Sequence, residues 1–126
     1  RESGDPTERQ LYVKGFDRVE ADASTTVFVA ERDGALVGTY QLTITPGVSR
    51  RGVVRATIES VRTRADLRGR GIGAMMMEHA IAEARRRGAN VAQLTSDLSR
   101  EGAHRFYERL GFVRSHAGFK RALDDA

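Results

Sequence analysis

The stretch Val61-Arg62-Thr63-Arg64-Ala65-Asp66-Leu67-Arg68-Gly69-Arg70-Gly71-Ile72-Gly73-Ala74 decides the fold. Before it, Val53 to Thr63 (VVRATIESVRT) alternates as a β-strand does. After it, Gly71 to Arg87 puts Gly73, Met77, Ala80, Ile81 and Ala84 on one helical face. A strand therefore feeds a helix through a turn with glycines at three alternate positions. Absent Cβ atoms leave that backbone open where the first N–H groups of the helix have no partner, and an anion can sit there. The spacing Gly-x-Gly-x-Gly departs from the dinucleotide fingerprint and from the P-loop, since no Lys-Ser/Thr follows. The bland alternative is a helix start made glycine-rich for close packing; Arg68 and Arg70 beside it favour the anion.

Working outward, the helix stops at Arg85-Arg86-Arg87-Gly88, where three cations meet the negative end of the dipole and Gly supplies a left-handed stop. Ala89 to Ser96 reads as a short strand, parallel to the preceding one through a right-handed crossover. Upstream, Thr25 to Glu31 and Ala35 to Thr45 flank Arg32-Asp33-Gly34 and read as a hairpin, followed by loop chemistry from Pro46 to Gly52. Leu11, Tyr12, Phe16 and Val19 recur at helical spacing and predict a helix over Thr7 to Glu20. Downstream, Arg100 to Leu110 reads as a second amphipathic helix, capped by Ser99 and stopped by Gly111, with one or two short strands from Phe112 to Leu123.

The chain of 126 residues, 40% hydrophobic and 30% charged, fits one globular domain and excludes a collagen-like or wholly disordered chain. No apolar run is long enough for a membrane span and no signal-peptide layout opens the chain, so a cytoplasmic location is expected. Zero cysteines exclude disulfides, a thiolate nucleophile and cysteine-ligated metal. The net charge is +4, but from Arg50 to Arg87 ten arginines face only Glu59, Asp66, Glu78 and Glu83. This cationic middle should attract an anionic partner. Residue 1 is Arg rather than Met, and the N-terminus reads as incomplete.

A second constellation is Ala103-His104-Arg105-Phe106-Tyr107-Glu108-Arg109-Leu110-Gly111-Phe112. Ala103, Phe106, Tyr107 and Leu110 form one helical stripe, and the bland reading makes all four core. Tyr107 differs because its hydroxyl needs a partner if buried. His104 and His116 read as surface or structural, and two histidines without supporting carboxylates make a poor metal site, so no metal is expected.

Together these constellations resemble the GNAT superfamily of acetyl-coenzyme A dependent N-acetyltransferases. Arg68-Gly69-Arg70-Gly71-Ile72-Gly73 matches its pyrophosphate motif Arg/Gln-x-x-Gly-x-Gly/Ala, and Ala103 through Phe112 matches its Ala-x-x-Phe/Leu-Tyr-x-x-Leu-Gly-Phe motif. The resemblance runs from about Ile58 to Phe112. It implies an α+β domain, three-layer α/β/α, with a mixed, mostly antiparallel sheet splayed between Val53–Thr63 and Ala89–Ser96. The family's earlier strand and helix read as missing here. Residues 103–123, with Ser115-His116 and Phe119, are similar to aminoalkylphosphonate N-acetyltransferases.

The resemblance also implies roles. Backbone groups of Val61 and Thr63 would pair with the pantetheine arm. Amides of Gly69, Gly71, Ile72, Gly73 and Ala74, with Arg68 and Arg70, would hold the pyrophosphate. Tyr107 would protonate the departing thiolate, which suits a phenol of reference pKa about 10 against about 8.5 for a thiol. An amide near Val61 would polarise the thioester carbonyl. Glu59 is the candidate base because it lies two residues before Val61, hence on the same face of a regular strand; a surface glutamate paired with Arg55 or Arg62 is the alternative. Two positions depart from the family: Arg100 stands where many members have Asn toward the pantetheine arm, and Arg62 where Val is usual, beside the cofactor or on the outer sheet face.

The expected activity is transfer of an acetyl group to a primary amine of a small molecule or peptide by direct attack in a ternary complex. A homodimer follows from the resemblance alone. Two other classes stay open: an arginine-rich anion or nucleic-acid binding module, disfavoured by the absence of interleaved aromatics, and a non-catalytic acetyl-CoA sensor.

Overall fold

The computed structural model of the chain describes residues 11–17 as backbone, and residues 24–47, 52–96 and 99–124 in full. Among the described residues one sheet runs in sequence order: β1 (Leu11–Asp17), β2 (Thr25–Arg32), β3 (Ala35–Pro46), β4 (Val54–Thr63) and β5 (Val91–Gln93). The junctions β1–β2, β2–β3 and β3–β4 are antiparallel. The β4–β5 junction is parallel, with the crossover made by a 3-10 turn (Ala65–Leu67) and helix α1 (Ile72–Arg86). Helix α2 (Glu101–Arg109) follows. Chain proximity separates two compact units, residues 1–94 with the sheet and α1, and residues 95–126 with α2.

The α+β class and the mixed, mostly antiparallel sheet are those expected. In the β2–β3 hairpin Asp33 and Gly34 both take positive φ, 53° and 79°, which is the two-residue loop whose twist matches that of the strands it joins. Along β2, β3 and β4 the buried residues alternate: Thr26, Phe28 and Ala30, then Tyr40 and Leu42, then Ala56 and Ile58. Helix α1 lays Ile72, Met76, Met77, Ala80 and Ala84 against this face. Gly38 permits the close approach, since a Cβ there would stand 2.8 Å from Met76 Cε.

Both helices stop as their glycines require. Gly88 has φ 86°, with its N–H on the Arg85 carbonyl and the Ala89 N–H on that of Ala84. Gly111 has φ 95°, with its N–H on Glu108 and the Phe112 N–H on Tyr107. Each pair is the doubled bond of a Schellman stop, which satisfies carbonyls the helix leaves unpaired.

Four expectations are corrected. The helix read over Thr7 to Glu20 is a strand at Leu11–Asp17, and the rest of that span lies outside the described residues. The seven-residue antiparallel register with β2 supplies ladder hydrogen bonds that helical spacing cannot weigh, and Gly15 weakens a helix there. The strand expected over Ala89–Ser96 shrinks to Val91–Gln93. The N-cap of α2 is Arg100 rather than Ser99, and its side chain makes no capping bond. Finally, residues 112–123 form no strand. Val113, Phe119 and Leu123 are 81%, 95% and 89% exposed, and strand propensity alone, without burial or pairing, does not make a strand.

Candidate functional site

The site is built on the end of β4, the turn after it and the start of α1. In the register of β3 with β4, Thr39 pairs Arg62 while Gln41 pairs Glu59, so two residues of β4, Ser60 and Val61, stand opposite Tyr40 alone. This is a β-bulge, and Ser60 carries its strain at φ 55°. The bulge corrects the expectation that Glu59 and Val61 share a strand face. Directly paired residues share a face, so Glu59 and Arg62 lie with Gln41 and Thr39 on the side away from α1. Gln41 Nε2 donates to Glu59 Oε1 at 3.1 Å across that face. Arg62 thus belongs to the outer face.

Beyond the bulge the backbone alternates again. The Arg64 N–H donates to the Val37 carbonyl at 2.9 Å, and the Arg62 carbonyl lies 3.1 Å from where a Cβ on Gly38 would be. Both groups turn toward β3. Alternation then turns the amides and carbonyls of Val61 and Thr63 to the opposite edge. There, pairing with β5 spans only Arg55 to Thr57. Among the described residues the β4 edge from Ile58 onward is open, as the splay expected from sequence requires.

Leu67, buried, anchors the 3-10 turn, and buried Ile72 anchors the start of α1. Between them Gly69 and Gly71 each take φ 81°, and a Cβ at either would meet nothing within 4 Å. These glycines are required by backbone conformation, with open space in front of them. The first helical bond runs from the Met75 N–H to the Gly71 carbonyl, which leaves the amides of Ile72, Gly73 and Ala74 without helical partners. The N-cap Gly71 has no side chain to cap them, and the first turn holds no acid.

Charge around the turn is divided. Arg64 donates to Asp66 through Nε at 2.7 Å and through a terminal nitrogen at 3.1 Å. These bonds hold the Asp66 carboxyl below its usual range. Arg68 and Arg70 are exposed and have no ion-pair partner among the described residues. Uncapped amides, no competing carboxylate in the first helical turn and two exposed guanidinium groups fit a diphosphate.

Tyr107 and Arg100 lie in the second unit. Tyr107 is half-buried on α2, its ring 5.3 Å from that of Phe106 and 6.2 Å from that of Phe112. Arg100 is exposed at the start of that helix.

Sequence reasoning missed a polar network under α1. The buried Tyr40 hydroxyl lies 2.7 Å from His79 Nδ1, and Phe28 stacks on Tyr40 and meets the His79 ring edgewise. Burial lowers the His79 pKa, with Glu83 acting against it. Burial raises that of Tyr40, with Glu83 adding to the rise. One turn on, Arg87 binds Glu83 Oε2 at 2.8 Å and Thr26 Oγ1 at 2.9 Å and lies over the Phe28 ring. Glu83 also binds Arg86, and these bonds bring its pKa down to about 2. The spacing of His79 three residues after Met76 and four before Glu83 was the available signal.

A model of the acetyltransferase (GNAT) family matches residues 2–112. The chain belongs to that family. This acetyltransferase is 31% identical over 114 residues to the aminoalkylphosphonate N-acetyltransferase of Salmonella typhimurium strain LT2, covering 90% of this chain and 73% of the relative. Among solved structures, a transcriptional regulator from Bacillus halodurans C-125 superposes with TM-score 0.79 at 43% identity, covering 83% of this chain and 70% of that one. An acetyltransferase of Trypanosoma brucei superposes with TM-score 0.72 at 27% identity, covering 79% and 70%. The family uses acetyl-CoA as its donor and an amine as acceptor. No described helix is long and apolar enough to cross a membrane, and no group of metal-binding side chains occurs among the described residues.

Proposed function

We propose that this acetyltransferase acetylates a primary amine of a small molecule or peptide by direct attack in a ternary complex, without an acetyl-enzyme. The observation that carries the reading is continuous in the chain. An open strand edge at Val61 and Thr63 runs into uncapped, glycine-freed amides at Gly69 to Ala74. A long thioester with a diphosphate at one end needs such a track: strand-like pairing for the amides of its arm, and a helix start for its phosphates. Acetyl-CoA, when bound, supplies an acetyl group activated as a thioester. The aminoalkylphosphonate acceptor in the name of the Salmonella relative supports a small-molecule amine.

On this chain the amide of Val61 donates to the carbonyl oxygen as negative charge develops there. Glu59 takes the proton that the attacking ammonium must lose, directly or through a water. Tyr107 gives a proton to the thiolate, and no hydrogen bond engages its hydroxyl among the described residues. Gly69, Gly71, Ile72, Gly73 and Ala74, with Arg68 and Arg70, hold the diphosphate. Arg100, where the family resemblance implies Asn, offers the pantetheine arm a cation.

Calorimetric titration with acetyl-CoA and desulfo-CoA at two salt concentrations tests the cofactor track. Saturable one-to-one binding at both is expected, and no binding to folded protein overturns it. Rapid-quench analysis without acceptor should show no burst of acetylated protein. A burst removes direct attack, and tight cofactor binding with no amine turned over replaces catalysis by ligand sensing.

A further inference from the structure

We infer that Arg62 is the residue that selects the acceptor, for a short amine carrying a second, anionic group of the kind in the Salmonella relative's name. The inference rests on the functional reading above and deepens it by assigning a specificity-determining residue. Its basis is the bulge at Ser60 and Val61. In a regular strand residues 59 and 62 point to opposite faces. The inserted residue puts both on the face away from α1, next to each other along β4, opposite Gln41 and Thr39. They bracket Val61, whose amide turns to the open edge.

The two side chains are of opposite sign, exposed, and not paired with each other. Glu59 accepts one bond, from Gln41, and leaves its other oxygen open. No carboxylate or hydrogen-bond acceptor reaches the Arg62 guanidinium among the described residues. The nearest polar neighbour by register, the Thr39 hydroxyl, is spent on the Phe28 carbonyl at 2.9 Å. Two residues adjacent on one face stand about 7 Å apart along a strand. A molecule with an ammonium and an anion two or three carbons apart spans such a pair: the ammonium at Glu59, beside the Val61 amide, and the anion at Arg62. A guanidinium fork binds phosphonate, sulfonate or carboxylate in two-pronged fashion. A plain alkylamine leaves Arg62 idle, and a diamine sets a cation against it.

The test compares acetylation of 2-aminoethylphosphonate, taurine, β-alanine, ethylamine and 1,3-diaminopropane by the full chain and by Arg62→Gln and Arg62→Lys. The expected result is kcat/KM at least about tenfold higher for the best anionic amine than for ethylamine. Arg62→Gln should bring that ratio close to one, with the change in KM, and Arg62→Lys should restore part of it. Calorimetry of the same amines against the protein loaded with desulfo-CoA supplies a readout independent of turnover: 2-aminoethylphosphonate should bind, and bind about tenfold more weakly to Arg62→Gln. If amines are acetylated but the ratio is near one, or does not move in Arg62→Gln, the inference is wrong while the acetyl-transfer reading stands. If Arg62→Gln weakens desulfo-CoA binding instead of amine binding, Arg62 serves the cofactor and the inference is also wrong. If none of these amines is acetylated or bound, the small-amine acceptor reading fails, and this inference with it.

Discussion

Tyr40→Phe removes one oxygen from the core and leaves the ring in place. Tyr40 is 1% exposed and its hydroxyl lies 2.7 Å from His79 Nδ1. Burial disfavours both the phenolate and the imidazolium. The pair is therefore neutral at pH 7, and one hydrogen bond joins the phenol to Nδ1. Deleting the hydroxyl forfeits about 0.5–1.5 kcal/mol for the bond and leaves a half-buried ring nitrogen unpaired. Ring volume is nearly conserved, so no cavity cost is added, and the total is about 1–2 kcal/mol. For a domain of this size that lowers the melting temperature by roughly 3–10 °C.

Urea unfolding of wild type, Tyr40→Phe, His79→Phe and the double variant at pH 8 provides the assay, with the coupling read from the cycle. Each single variant should be destabilised, and the double variant less than the sum. The pH dependence has a determined sign. His79 binds its proton more weakly folded than unfolded, so the unfolded state takes up protons first, and stability falls as pH drops from the unfolded value near 6.5 toward the lower folded one. His79→Phe should lack that slope. Tyr40→Phe within about 0.3 kcal/mol of wild type, or additive with His79→Phe, refutes the bond's energetic role.

Gly71→Glu should abolish acetyl-CoA binding by calorimetry, because it sets bulk and negative charge against the diphosphate. Gly71→Ala separates out the backbone cost, about 1 kcal/mol at φ 81° with no steric neighbour, and retained binding in Gly71→Glu means that the turn is not the phosphate site. Tyr107→Phe should lower turnover by about 10²- to 10⁴-fold with cofactor affinity almost intact, and an unchanged rate removes Tyr107 from the mechanism. The Glu83 carboxyl, held at about 2 by Arg86 and Arg87, stabilises the fold above its ordinary value near 4.5 and progressively less as pH falls toward 2. Acid titration of Glu83→Gln should be flatter than wild type over that interval, and an identical curve denies the carboxylate this part.

What could be read from sequence was what neighbours in the chain decide. Asp33-Gly34, Gly69, Gly71, Gly88 and Gly111 are legible because each needs a backbone conformation that other residues adopt at a cost, and the need arises within a few residues. The strand, turn and helix around residues 61–74 follow from periodicity for the same reason, and with them the open, uncapped helix start of the candidate site. Tertiary structure decided the rest. Leu11–Asp17 became a strand because β2 offers it a ladder, which apolar spacing within the segment cannot register. Residues 112–123 have strand-like composition and form no strand among the described residues. The buried Tyr40–His79 bond joins residues 39 positions apart, which no local pattern connects. Most consequential is the single inserted residue at Ser60 and Val61. A bulge is a property of two strands in register, and β4 alone alternates either way, so the sequence could not say whether Glu59 sides with Val61 or with Arg62. Pairing with Thr39 and Gln41 sets the two charges side by side, and sheet pairing thereby shapes the side of the site we propose for the acceptor.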